Sequence, residues 1–153
     1  MKRRLGLALL PVVAVALLGS VPANAASECE ANFTSKTPNI LLGLLAPTTA
    51  TYQSHATIHG VTAPTAFTRA YRELVKDGFT IAASDREVGS ITATAVGNGG
   101  ENHIALNFLL TEQKDGLDIS VKITASASGM GHPMKHVCAP IAAALGEPTD
   151  ASL

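Results

Sequence analysis

Charge is scarce in this sequence, and beyond its first four residues no patch of one sign stands out. Its 153 residues hold 11 lysines and arginines against 12 aspartates and glutamates. A chain this close to neutral, with no basic stripe, is a poor partner for nucleic acid or an anionic membrane. Catalytic signatures are missing too. No G-x-S-x-G elbow occurs, and "GNGGEN" lacks the Lys-Ser/Thr that a phosphate cradle needs, so it reads as a loop between strands. The acids are scattered, and Asp85 and Glu87 share one turn as turn-formers and not as a catalytic pair. His136 is too near Cys138 along the chain to be the base of a thiol nucleophile, a role normally filled from elsewhere in the fold. These gaps point away from an enzyme. Past residue 25 there is no internal repeat and no low-complexity tract.

What is present begins at the N-terminus. Lys2, Arg3 and Arg4 precede an apolar run from Leu5 to Leu18, and Ala23-Asn24-Ala25 follows as a small-x-small triplet. This is the pattern of a secretory signal, with cleavage expected after Ala25. The run is short of the roughly 20 residues that span a bilayer. It does not end in a cysteine either, since Cys29 lies past the cleavage point, which argues against a lipid anchor. Residues 1–25 are therefore read as the signal peptide, 26–51 as an N-terminal segment and 52–153 as a single α+β domain. Loss of the signal leaves 128 residues, with eight bases against 12 acids and a net charge of −4. The destination is the periplasm or the exterior, with no membrane span in the mature chain.

Two cysteines remain, Cys29 and Cys138. In an exported protein an even count points to pairing; two free thiols, one of them a metal ligand, is the other reading. A bridge closing so long a loop contributes up to roughly 4–5 kcal/mol in the chain-entropy picture.

Periodicity supplies the elements. "TPNILLGLLAPTTAT" carries an apolar cluster, Ile40 to Leu45, that fits either a short strand or a helical turn. From Tyr52 the alternation of Tyr52, Ser54, Ala56 and Ile58 predicts a strand. Thr62 and Pro64 then signal a helix start, and Phe67, Ala70, Tyr71, Leu74 and Val75 form its apolar stripe. Gly78 ends it, with Phe79 placed to meet Leu74 in a Schellman cap. Four period-2 segments follow: Phe79, Ile81 and Ala83; Ile91, Ala93 and Ala95; Ile104 to Leu110; Leu117 to Ala125. The turns between them are "DREVG", "GNGGEN" and "QKDG", the last suited to a hairpin. A final helix is expected within Met134–Leu145, starting near Lys135 or His136 so that Pro140 falls in its first turn. The fold class is α+β: an antiparallel β-sheet of four to five strands with two helices packed on one face, in β-α-β-β-β-β-α order.

The spacing Leu74-x₃-Gly78-Phe79-x-Ile81-x₃-Asp85-x₃-Gly89-x-Ile91-x-Ala93 resembles the unit of small bacterial envelope accessory proteins of the BamC type. That unit is a helix, a strand opening on Gly-aromatic, and an Asp…Gly turn into a hairpin. The element order matches over about residues 52–145, and the motif itself over some twenty residues. The resemblance implies a non-enzymatic role in the cell envelope, through an envelope protein or small ligand as partner. Such proteins are commonly lipid-anchored, and this chain departs from them there.

Two stretches invite a functional reading. "GMGHPMKHVC" places Met130, His132, Met134 and His136 at spacing two. Thioethers and imidazoles suit Cu(I) and Cu(II), and an extended loop would turn all four to one side as a copper site. The structural alternative has Met134 in the core, His132 capping a helix and His136 in solvent. His55 and His59 share a strand face and add ligands only if the fold brings them near. The second stretch is the wet face of the sheet: Thr80, Ala82, Ser84, Thr92, Thr94, Asn107, Ser120, Lys122, Thr124 and Ser126. It carries little charge for a solvated face, and is read either as plain surface or as the seat of a partner, a second copy as in a homodimer, or the segment 37–51.

Overall fold

In the computed structural model the described residues are 24–37, 49–97, 103–126 and 130–149. The segment expected to be a signal peptide, apart from Asn24 and Ala25, and the Ile40–Leu45 cluster lie outside them. The elements are α1 (Ala25–Ala31), β1 (Thr34–Lys36), β2 (Thr49–Ile58), α2 (Ala63–Lys76), β3 (Thr80–Asp85), β4 (Ser90–Val96), β5 (His103–Gln113), β6 (Gly116–Ser126) and α3 (Pro133–Leu145). The α+β class and the antiparallel sheet hold. The described residues form six strands and three helices, more than the periodicity gave, because α1 and β1 come from a stretch with no clean pattern.

The sheet order is β1-β2-β6-β5-β4-β3, antiparallel throughout. α2 carries the chain from β2 to the far edge, and the meander β3 to β6 returns until β6 lies beside β2. All ten residues of β2 find partners on β6, from Thr49↔Ser126 to Ile58↔Leu117. The period-2 residues of β2, β5 and β6 point to one side, where Ile58, Leu106, Phe108, Ile119 and Ile123 are sealed from solvent. The helices cover that side: α2 lies on β3 and β5, α3 on β2 and β6, and α1 on β2 and α3. Among the described residues no helix lies on the opposite face.

Capping follows the sequence. Gly78 has φ +88, its N–H donates to Val75 O, and Phe79 N–H donates to Leu74 O at 2.9 Å, which completes the Schellman motif. In "DREVG", the Asp85 carboxylate accepts from Glu87 N at 2.9 Å and Val88 N at 3.0 Å. Such an Asx turn fixes the β3–β4 corner.

Three expectations are corrected. α3 starts at Pro133, so Pro140 is interior and not in the first turn. Pro133 takes the N1 position, where a missing N–H costs nothing, and Pro140 is itself sealed in the core. Val75 belongs to the apolar stripe of α2 by spacing but is half exposed, since it sits beyond the arc that meets the sheet. Finally, a β-bulge breaks β3. Ile81 opposes Ala93 but Ala83 opposes Thr92, so Ala82 is an extra residue. The parity of the strand inverts there. Ser84 opposes the buried Ile91 and faces the helices, not the wet face, while Ala83 turns outward.

Candidate functional site

Cys29 and Cys138 are joined as a disulfide, S–S 2.01 Å, with both side chains fully buried. The bond ties α1 to α3. Ser54, a buried polar residue of β2, donates its hydroxyl to the Cys29 carbonyl at 2.5 Å, so sheet, α1 and bridge meet at one point.

The Met/His run divides. Residues from Pro133 onward are helical, not extended. Two positions apart on a helix is about 200° of rotation, so Met134 and His136 cannot share a side as they would on an extended loop. Met134 packs against the core. His132 is the N-cap of α3, with φ 51 and ψ 55 and no side-chain capping bond; its carbonyl accepts from Lys135 N at 3.1 Å. Met130 and His136 do come to one recess, of about 390 Å³, between the C-terminal end of α2, the ends of β4 and β5, and the start of α3. His55 and His59 do not line it. His59 instead donates through Nδ1 to the Asp115 carbonyl, tying β2 to the β5–β6 turn.

His136 is not in solvent. Its Nδ1 lies 2.5 Å from Asp77 Oδ2, with both side chains about a quarter exposed. A carboxylate only accepts, so Nδ1 carries the proton, and the neutral ring keeps its lone pair on Nε2. The Phe79 ring packs edge-on against the imidazole, centroids 6.3 Å apart. Asp77 escaped the sequence reading, yet it left a signal. An acid at a helix C-terminus opposes the dipole, and such a residue asks for a donor from elsewhere. Among the described residues no group of three or more His, Cys, Asp or Glu is arranged to hold a metal ion.

The second candidate is the bare sheet face. A shallow recess of about 580 Å³ lies over β1, β2, β6 and β5. Gln53, His55, Asn107, Leu109, Ser120 and Lys122 line it, with Asn32 at its rim. The register explains the assembly: Gln53 and Asn107 both flank Lys122, and His55 and Leu109 both flank Ser120. Asn32 closes the rim by donating from its side chain to the His55 carbonyl at 3.1 Å. Leu109 is 44% exposed in the middle of this face.

No protein-family model matches the chain, and no curated protein sequence matches it. Among solved structures it is similar to a conserved protein of unknown function from Enterococcus faecalis, at 10% identity over 84% of each chain with a TM-score of 0.44.

Proposed function

We propose that this is an exported, non-enzymatic binding module of the cell envelope that engages a protein partner through the bare face of its sheet. The observation that carries this reading is the one-sided placement of the helices, so that among the described residues nothing packs as a helix on β2, β6, β5 and β4 around Leu109. The face is built of small polar side chains, with Asp118 and Lys122 as the charges lining its recess. Little charge has to be desolvated when such a surface is covered, and interface cores are depleted of charge for that reason. The disulfide, and the absence among the described residues of a helix long and apolar enough to cross a membrane, fit export. The envelope setting rests on the BamC-type resemblance and the signal pattern.

A photo-crosslinking residue at Asn107, introduced into the protein in intact cells, should give a discrete adduct that Leu109→Glu removes. The same probe at Val75, on the helix side, should give none. Equal adducts from both positions would end the proposal, and an adduct of two copies of this chain would make the partner a homodimer mate.

A copper reading has one observation in its favour. Met130 and His136 share a recess in which Asp77 holds Nδ1 and leaves Nε2 free, the arrangement by which carboxylates orient metal-binding imidazoles. The ligand set then shrinks from four residues to Met130 and His136, a thioether–imidazole pair suited to Cu(I). Equilibrium dialysis against Cu(I) should show binding that Met130→Leu or His136→Ala abolishes and His132→Ala leaves intact. Equal loss in all three variants, or no binding at all, would overturn it.

A further inference from the structure

The β3 bulge builds something that the regular strand would not. It turns Ser84 toward α2, into a recess of about 420 Å³ whose other walls are Phe67, Thr68, Tyr71, Arg72 and Arg86. Two of the three arginines that follow the signal peptide converge here, and no acid lines the recess. Arg86 lies over the Phe67 ring, 5.8 Å from its centroid. Stacking occupies the flat face of a guanidinium and leaves the N–H edges available. Two of the neighbouring acids are engaged elsewhere, and Glu87 lines a different recess. Asp85 holds the turn through Oδ1, and Glu73 lies 3.8 Å from Lys76. Thr68 donates its hydroxyl to the Pro64 carbonyl, so it is a wall and not a donor.

We propose that this recess binds a small organic oxyanion: a phosphate or carboxylate gripped by Arg72 and Arg86, on a planar apolar body packed against Tyr71, with Phe67 as the platform beneath Arg86. Guanidinium groups fit the two oxygens of such an anion as a fork, and their hydrogen bonds are charge-assisted. The Tyr71 and Ser84 hydroxyls are the further donors within the same walls. Phe67, almost fully buried in α2, supplies a rigid floor, and the bulge fixes Ser84 against it. The site lies on the helix side at the β3 edge, away from the bare sheet face, so it does not depend on the partner proposed there.

Phenylphosphate is the probe, followed by backbone and arginine side-chain NMR shifts of the oxidised protein. Saturable shifts should appear at residues 67–72 and 84–86. Each of Arg72→Gln and Arg86→Gln should weaken binding about tenfold, the loss expected for one charge-assisted contact. Lys122→Gln on the opposite face should change nothing. Inorganic phosphate should bind more weakly than phenylphosphate, and phenol should not bind. Both arginines are at the surface, so a native spectrum of each variant separates lost binding from lost folding. Shifts that do not saturate, that survive both arginine substitutions, or that inorganic phosphate reproduces at equal affinity would overturn the proposal.

Discussion

At the scale of single residues, Gly89 is the most constrained glycine among the described residues. Its φ is +75, and a Cβ placed there would lie 2.4 Å from the Leu110 carbonyl oxygen. The two have separate causes: the positive φ belongs to the β3–β4 turn, while the close approach comes from neighbouring β5, where the Gly89 carbonyl accepts from Leu110 N at 2.9 Å as the β4–β5 ladder runs one step past Ser90↔Leu109. Gly89→Ala should therefore cost more than about 1 kcal/mol, the left-handed penalty alone, read as a lowered midpoint in urea. An unchanged midpoint would mean that the turn relaxes. His132 is the other conspicuous backbone, the one non-glycine with positive φ among the described residues. It stands before Pro133, where the α conformation is disfavoured, and this local conflict was legible in "GHP". The outcome, a left-handed N-cap in place of a ligand, was not.

At the scale of elements, β3 separates what pattern can tell from what it cannot. Alternation placed Ile81 inward and Ala83 beside it, and the first half holds, since Ile81 packs against the core. The bulge at Ala82 then inverts the phase. Nothing in "FTIAAS" announces this, because Ala, Ala and Ser suit either face. β5 and β6 were readable throughout for the opposite reason. Large apolar residues recur there at every second position, and a slip of one would expose all of them. α1 was invisible because it is held by a bridge and by the Glu147 carboxylate, which accepts from Ala26 N at 3.2 Å, joined in the uncleaved chain by the Asn24 cap and by Ala25 N at 3.0 Å. None of those partners is periodic in sequence. The Asp77–His136 pair joins residues 59 positions apart, beyond the reach of any local pattern. The bulge itself is testable. Ala83→Lys should change stability by less than about 0.5 kcal/mol, as for a surface site, whereas Ile81→Lys should cost more than 1 kcal/mol or so by forcing an ammonium toward the core. Were Ala83→Lys the more harmful, the strand would be regular.

At the scale of the whole molecule, stability is decided where the first and last helices, α1 and α3, meet. α1 is short, and a helix of that length does not hold itself in water. It stays because Cys29 is bonded to Cys138, 109 residues further on, and because Ser54 reaches the Cys29 carbonyl from β2. Opening the bridge returns loop entropy to the unfolded chain worth up to roughly 4–5 kcal/mol. It also frees α1 to leave and bare the β2 and α3 surfaces it covers. Against a typical total of about 5–15 kcal/mol for a single domain, that is a large share. Reduction with dithiothreitol should therefore lower the urea midpoint substantially, by an amount equivalent to about 3 kcal/mol or more. Amide exchange should identify the first segment to open as residues 26–36, while β5 and β6 keep their protection. Cys29→Ala with Cys138→Ala should behave like the reduced protein. If both match the oxidised protein in midpoint and in exchange at α1, then core packing alone holds the two helices together. The expected order also suits export. A chain that folds weakly while its thiols are reduced, and firmly once they are joined, gains its stability in an oxidising compartment.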